Sequence, residues 1–221
     1  MKKTENIALF WFRSDLRLND NPALHFACKK SKVLPIYILD NKNIKKFQMG
    51  EASKWWLHNS LKELNKSLNN SLSIYIGDPI KVIHDIINKY NIKDVFWNRC
   101  YDPVSIKRDK EIKSKLNNND INVFTYNGCL LWEPWNILKS DETPYKVFTP
   151  FYKKGCLSSS EPRFPIEYDK KSKYYQEKSN KLNIDDLNLL DSFDWYLKFN
   201  KYWVPGEKAA KKMLDNFIIE G

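Results

Sequence analysis

Glycine is scarce in this 221-residue chain. There are six in all, none spaced as G-x-G-x-x-G or as a phosphate-cradling P-loop. A backbone that approaches a pyrophosphate closely needs glycine at fixed offsets, so dinucleotide and nucleoside-triphosphate sites of those kinds are argued against. Histidine is scarcer still, at positions 25, 58 and 84 without a local signature. The four cysteines, Cys28, Cys100, Cys129 and Cys156, form no C-x-x-C pair. These absences argue against a zinc centre and leave no Ser-His-Asp or Cys-His set readable from spacing. The thiols fit a reduced, cytoplasmic protein. No apolar run approaches the roughly 20 residues of a membrane-spanning helix. The charged first six residues lack the small-residue cleavage site of a secretory signal.

What is present is an apolar and aromatic chain with a basic balance. Hydrophobic residues make up 42% and aromatics 14%, enough for a core. Lys and Arg outnumber Asp and Glu by 37 to 27, a net charge of +10. Such an excess invites a nucleic-acid partner. The lysines are dispersed among asparagines and form no stripe, so charge alone does not assign one.

The first 126 residues alternate two periods. "IALFWF" (7–12) is a continuous apolar run of strand length, as expected for a strand covered on both faces. Asn21 and Pro22 then open a helix as N-cap and first residue. "VLPIYIL" (33–39) is a second strand, with Pro35 an objection to a central position because it removes a ladder donor. Leu57, Leu61, Leu64 and Leu68 share one face of a helix from about residue 51. "LSIYI" (72–76), "DVFW" (94–97) and "NVFTY" (122–126) give three more strands, separated by helices over about 79–90 and 103–116. Five strands with intervening helices predict a doubly wound parallel α/β sheet of order 3-2-1-4-5 within a domain over 1–128.

After Gly128 the rhythm stops. Residues 129–202 read as a long linker, of which "KKSKYYQEKSNK" (170–181) looks like a solvated connector. A last helix begins near Gly206, within a segment 203–221 that reads as the start of a further domain. Ala210, Met213, Leu214 and Phe217 form its apolar stripe.

In an open α/β sheet, ligands sit beyond the carboxyl ends of the strands where the strand order reverses. For order 3-2-1-4-5 that point lies between strands one and four. The loops there, "RSDLRLNDN" and "NRCYDP", are the most polar strand-ending loops of the domain. A bound small molecule is expected against Phe12, Arg13, Asp15, Asp40, Asn98, Cys100, Tyr101 and Asp102. A second reading stays open, in which Asp15, Arg17 and Asp20 hold the loop's shape through local hydrogen bonds and ion pairs.

Six segments in order, "WFRSDLRLNDNPAL", "YILD", "WNRCYDPVSIKRD", "LLWEPW", "YKVFTPF" and "WVPGEKAAKKML", resemble the signatures of the DNA photolyase and cryptochrome family. Together they cover nearly the whole chain. "YDPVSIKRD" and "LLWEPW" are more similar to plant cryptochromes and their bacterial photolyase relatives than to the enterobacterial type. The resemblance implies an N-terminal α/β domain that holds a light-harvesting antenna: methenyltetrahydrofolate first, deazaflavin or flavin as alternatives. It implies a larger helical domain that binds FAD and acts on damaged DNA, where an electron from excited flavin splits a flipped-out pyrimidine dimer. That chemistry is a carbon–carbon lyase reaction.

Two positions depart from the family pattern. Aligned on "KRD", the Asn-Glu pair that contacts folate in enterobacterial relatives falls at Val104 and Ser105, and the acidic contact of deazaflavin relatives falls near Cys100. Because "WVPGEKAAKKML" resembles the start of the helical domain, the chain is expected to be the antenna half of a deoxyribodipyrimidine photolyase, inactive by itself. The FAD and DNA sites would lie in the missing domain, and an exposed interdomain surface would favour self-association. A stand-alone chromophore- or partner-binding module and a cryptochrome photoreceptor fragment are the alternatives.

Overall fold

The computed structural model describes residues 6–42, 48–180, 182–190 and 193–221. Five strands, β1 (Ile7–Phe12), β2 (Lys32–Leu39), β3 (Ser73–Ile76), β4 (Asp94–Asn98) and β5 (Asn122–Tyr126), form one parallel sheet of order β3-β2-β1-β4-β5. The order is the one expected from the sequence. Its crossovers are the helices α1 (Pro22–Lys30), α2 (Glu51–Ser67), α3 (Pro79–Tyr90) and α4 (Pro103–Asn117).

Because side chains alternate along a strand, β1 feeds two cores. Ala8, Phe10 and Phe12 pack under α1 and α2 with Leu24, Leu57, Leu61 and Leu64. Ile7, Leu9 and Trp11 pack under α3 and α4 with Ile83, Ile86, Ile87, Ile112 and Leu116. Every residue of β1 is buried, which is why its sequence reads as a continuous apolar run. Each of the larger side chains contributes roughly 1.5–3 kcal/mol by leaving water.

The helix starts follow their caps. Asn21 Oδ1 accepts from Leu24 N at 3.2 Å, Asp78 from Ile80 N at 3.1 Å and Asp102 from Ser105 N at 2.8 Å, each ahead of a proline. Proline also explains itself in β2. Val33 turns its N–H and C=O away from β1, to Lys173 O at 3.1 Å and from Tyr175 N at 2.7 Å. Pro35, two residues on, faces the same side, and β3 pairs only from Ile36 onward. The missing donor falls in the gap between two partners, so a central strand tolerates it.

The segment beyond Gly128 is not a solvated connector throughout. Residues 173–175 extend the sheet at the start of β2, through a bridge between Val33 and Tyr174. The Glu177 side chain is fully buried and accepts from Tyr90 Oη at 2.7 Å, from Lys89 Nζ at 2.9 Å and from the Tyr75 hydroxyl. Ile184, Leu187 and Leu189 complete the core on the α1/α2 side. Earlier in the linker, α5 (Phe148–Pro150) runs into a π-helical turn over Phe151–Cys156. The last helix, α6 (Glu207–Glu220), has no buried residue, yet its first turn is fastened to the loop after β1. No helix among the described residues is long and apolar enough to cross a membrane.

Candidate functional site

The loop after β1 carries alternating charges because nearly every one of them has a structural partner. Asp15 accepts from its neighbour's backbone, Arg13 N, at 2.9 Å and from Asn98 Nδ2 at 2.5 Å. Asn98, the last residue of β4, also donates to Asn21 Oδ1 at 2.7 Å and accepts from Ala23 N at 3.1 Å. One buried amide therefore ties the ends of β1 and β4 to the start of α1. Gly128 passes so close that a side chain there would put its Cβ 2.6 Å from Asn98 Cγ. Arg17 donates to Asp20 O at 2.9 Å and to Gly128 O, closing the loop onto the start of the linker. Asp20, at φ +46°, accepts from Arg163 at 2.5 Å and exchanges backbone and side-chain bonds with Ile166.

Beyond these fixed points the strand ends open into a cleft of about 710 Å³, within the range of small-molecule and cofactor pockets. It spans the carboxyl ends of β2, β1 and β4. From β1 and the loop after it come Trp11, Arg13 and Ser14, and from β2 and its end come Tyr37, Leu39 and Asp40. Ser53, Trp56 and Ser60 of α2 form one wall, and Cys100, Asp102, Ser105 and Arg108 form the other. Gly206, Glu207 and Ala210 close the rim from α6.

Along the floor of the cleft runs a line of four charges, Arg13 and Asp40 buried and Arg108 and Asp109 half-buried. Asp40 pairs with Arg108 at 3.3 Å, Arg108 with Asp109 at 3.0 Å, and Asp109 with Arg13. The two guanidiniums also pack on Trp11, at 5.0 and 4.9 Å from its ring centroid, a cation–π arrangement. Their charges are balanced within the line, which offsets the cost of burying them. Arg13 Nε and Nη2 and Trp11 Nε1 are nevertheless buried without a hydrogen-bond partner among the described residues. The Cys100 thiol is held above its ordinary pKa, mainly by burial, so at neutral pH it is a protonated, weakly polar wall.

Of the eight residues expected at the site, Arg13, Asp40, Cys100 and Asp102 line this cleft. Asp15 and Asn98 lie beneath it in the strand-end network. Phe12 is fully buried in the core on the α1/α2 side. Tyr101 is turned to the β5 side, where its hydroxyl donates to Glu133 at 2.6 Å. Glu133 also receives Arg99 through both oxygens, at 2.6 and 3.0 Å. That fork fixes "LLWEPW" to the end of β4.

Sequence reasoning missed Trp11, Tyr37, Trp56 and Arg108. The available signal was the strand-end position of Trp11 and Tyr37, both of which read as core. Arg108 lies one turn into α4, and Trp56 lies across α2 from its leucine stripe.

A family model described as DNA photolyase matches residues 8–167. The deoxyribodipyrimidine photo-lyase of Agrobacterium fabrum is 37% identical over 216 residues, covering 95% of this chain and 44% of the relative. Cryptochrome-2 of Arabidopsis thaliana is 32% identical over 225 residues, covering 98% of this chain and 37% of the relative. A crystal structure of a bacterial class III photolyase from Agrobacterium tumefaciens matches with a TM-score of 0.88 at 34% identity, across 99% of this chain and 45% of that one. The chain thus spans less than half the length of these relatives. The family model covers well over half of its residues, and relatives at 37% and 32% identity align with nearly all of it: this chain belongs to the DNA photolyase/cryptochrome family.

Proposed function

We propose that this chain is the N-terminal part of a deoxyribodipyrimidine photolyase, with domains as read from the sequence, and that the cleft at the β2, β1 and β4 ends holds its light-harvesting antenna. The observation that carries the reading is the cleft's make-up. Flat aromatic walls, Trp11, Tyr37 and Trp56, meet buried donors on Arg13 and Trp11 that have no acceptor among the described residues.

An acceptor-rich planar heterocycle suits that combination, because buried donors without partners each cost about 1–3 kcal/mol until an acceptor reaches them. The residues present therefore fit a folate-like or flavin-like chromophore, with methenyltetrahydrofolate the first candidate. Such a chromophore supplies absorption of near-ultraviolet or blue light. The chain's own groups do the rest. Arg13 and Trp11 meet ring acceptors, Trp56 excludes water from one face, Asp40 holds Arg108 in the floor, and Asp102 orients a donor at the rim. Asp15, Asn98, Phe12 and Tyr101 keep the two loops in place from behind.

In this reading FAD and damaged DNA are bound by the part of the relatives that these 221 residues do not span, in a cytoplasmic protein. The test is to purify the chain and scan for absorbance above the aromatic band, then repeat with Trp56→Ala and Arg13→Ala. Loss of the chromophore from both variants, with circular dichroism unchanged, is the expected result. A chromophore that survives both changes places the site elsewhere. The chain by itself is expected neither to bind FAD nor to repair dimer-containing DNA under blue light, and repair above the rate of free flavin overturns that half of the reading.

A second reading, a cryptochrome-type photoreceptor, is favoured by the match to Arabidopsis thaliana Cryptochrome-2 over 98% of this chain. Repair by a full-length protein containing this chain distinguishes the two.

A further inference from the structure

The loop that walls the cleft is also the mooring of α6. Glu207, in the first turn of that helix, receives three hydrogen bonds of 2.8 Å each: Leu18 N on one carboxylate oxygen, Asn19 N and Asn19 Nδ2 on the other. Successive backbone N–H groups converging on a carboxylate make a strong anion-binding concavity. The negative charge also suits the N-terminus of its own helix.

Immediately before it, Gly206 adopts φ +110° and lies so near α2 that a Cβ would stand 2.9 Å from Glu63 Cβ. Glycine thus lets the foot of the helix lie directly against α2. The same loop contributes Arg13, Ser14 and Arg17 to the cleft, and Gly206, Glu207 and Ala210 close its rim. No residue of α6 is fully buried; besides this carboxylate, its first turn meets the α/β domain beside Glu63, Leu64 and Ser67 of α2.

We infer that Glu207 is a positioning residue: its carboxylate locks the first turn of α6 to the loop that walls the cleft, so the shape of the cleft and the setting of the helix are coupled. By linkage the coupling is reciprocal. Whatever steadies the loop steadies the helix, and whatever holds the helix narrows the conformations of the cleft. The functional weight of the clamp rests on the cleft being the antenna site. The clamp itself is read without any chromophore, so failure of the antenna reading and failure of the clamp are told apart.

The experiment is amide hydrogen exchange on the whole 221-residue chain, comparing wild type with Glu207→Ala, Glu207→Gln and Asn19→Ala. In Glu207→Ala the Leu18 and Asn19 amides are expected to exchange about tenfold faster or more. In Asn19→Ala the Ala210 amide, bonded to Gly206 O in the first turn, is expected to accelerate although no residue of α6 has changed. Glu207→Gln, which keeps one acceptor oxygen, falls between. The double variant is expected to add nothing at Ala210 beyond Glu207→Ala alone, the mark of one shared interaction. Amides of β1 and β4 stay protected throughout, which separates loss of the clamp from unfolding. Should Glu207→Ala fail to fold, the two milder variants give the same reading. Unchanged exchange at Leu18 and Asn19 in the Glu207 variants, or at Ala210 in Asn19→Ala, overturns the inference.

Discussion

Asn98 ties three separate stretches of chain, its own included, through one buried side chain. Its amide joins Asp15, Asn21 and Ala23, and removing it leaves a buried carboxylate short of a donor. Asn98→Ala is expected to cost roughly 2–4 kcal/mol, read as a lower urea midpoint with an unchanged slope. A midpoint within about 0.5 kcal/mol of wild type shows that water replaces the amide.

His58 gives the residue scale a pH signature. It is buried on α2 with Nε2 3.6 Å from Asp185 Oδ1. Burial, and then the Lys62 charge, lower its pKa below the ordinary 6.5. The unfolded imidazole therefore takes up a proton in acid before the folded one does. Stability is expected to be unaffected well above 6.5, to fall as pH drops below about 6.5, and to level off beneath the lowered folded value. Denaturation midpoints between pH 7.5 and 5.5 check this, and His58→Gln should flatten the slope. That Asn98 and Asp15 matter was legible from their place at strand ends. Which partners they take was not, because a hydrogen bond across 83 residues leaves no mark in local spacing.

At the scale of elements, helices and strands announce themselves through period and caps, and the segment over residues 173–177 does not. Its composition is that of a solvated chain, yet two backbone bonds to Val33 and one buried carboxylate suffice to seat it. Burial opposes ionisation of Glu177, but hydrogen bonds from Tyr75, Tyr90 and Lys89 prevail and hold its pKa below the ordinary 4.5. Its contribution is therefore complete above that value and is lost as pH falls through the lower folded one. This window opens near 4.5, whereas that of His58 opens near 6.5. Glu177→Ala is expected to cost about 2–3 kcal/mol, because it leaves the Tyr75 and Tyr90 hydroxyls without their acceptor. Tyr75→Phe should cost about 1 kcal/mol. If Glu177→Ala melts like wild type, the segment is held by Tyr174 and its backbone alone.

For the molecule as a whole, strand order was legible because a parallel sheet with a single reversal leaves few arrangements. The cleft was only half legible, since β2 and α2 contribute walls that the reversal rule does not name. Much apolar surface stays in water: Phe164 is 83% exposed, Phe193 74%, Phe217 72% and Ile219 81%. Self-association of the isolated chain is expected, seen as sedimentation that changes across an about hundredfold concentration range. A monomer throughout shows that surface to be inert.

The way the linker is laid down also sets a timetable for synthesis. Residues 163–168 bind the loop after β1, residues 173–175 the start of β2, and Ile184 to Leu189 the core beneath α2. The sheet is complete at Tyr126, but one of its cores stays open until Leu189 has left the ribosome, 189 − 126 = 63 residues later. At roughly 5–20 residues per second that is about 3–13 s. During this interval the nascent domain presents an uncovered apolar face, so a chaperone that engages apolar segments has its opportunity there.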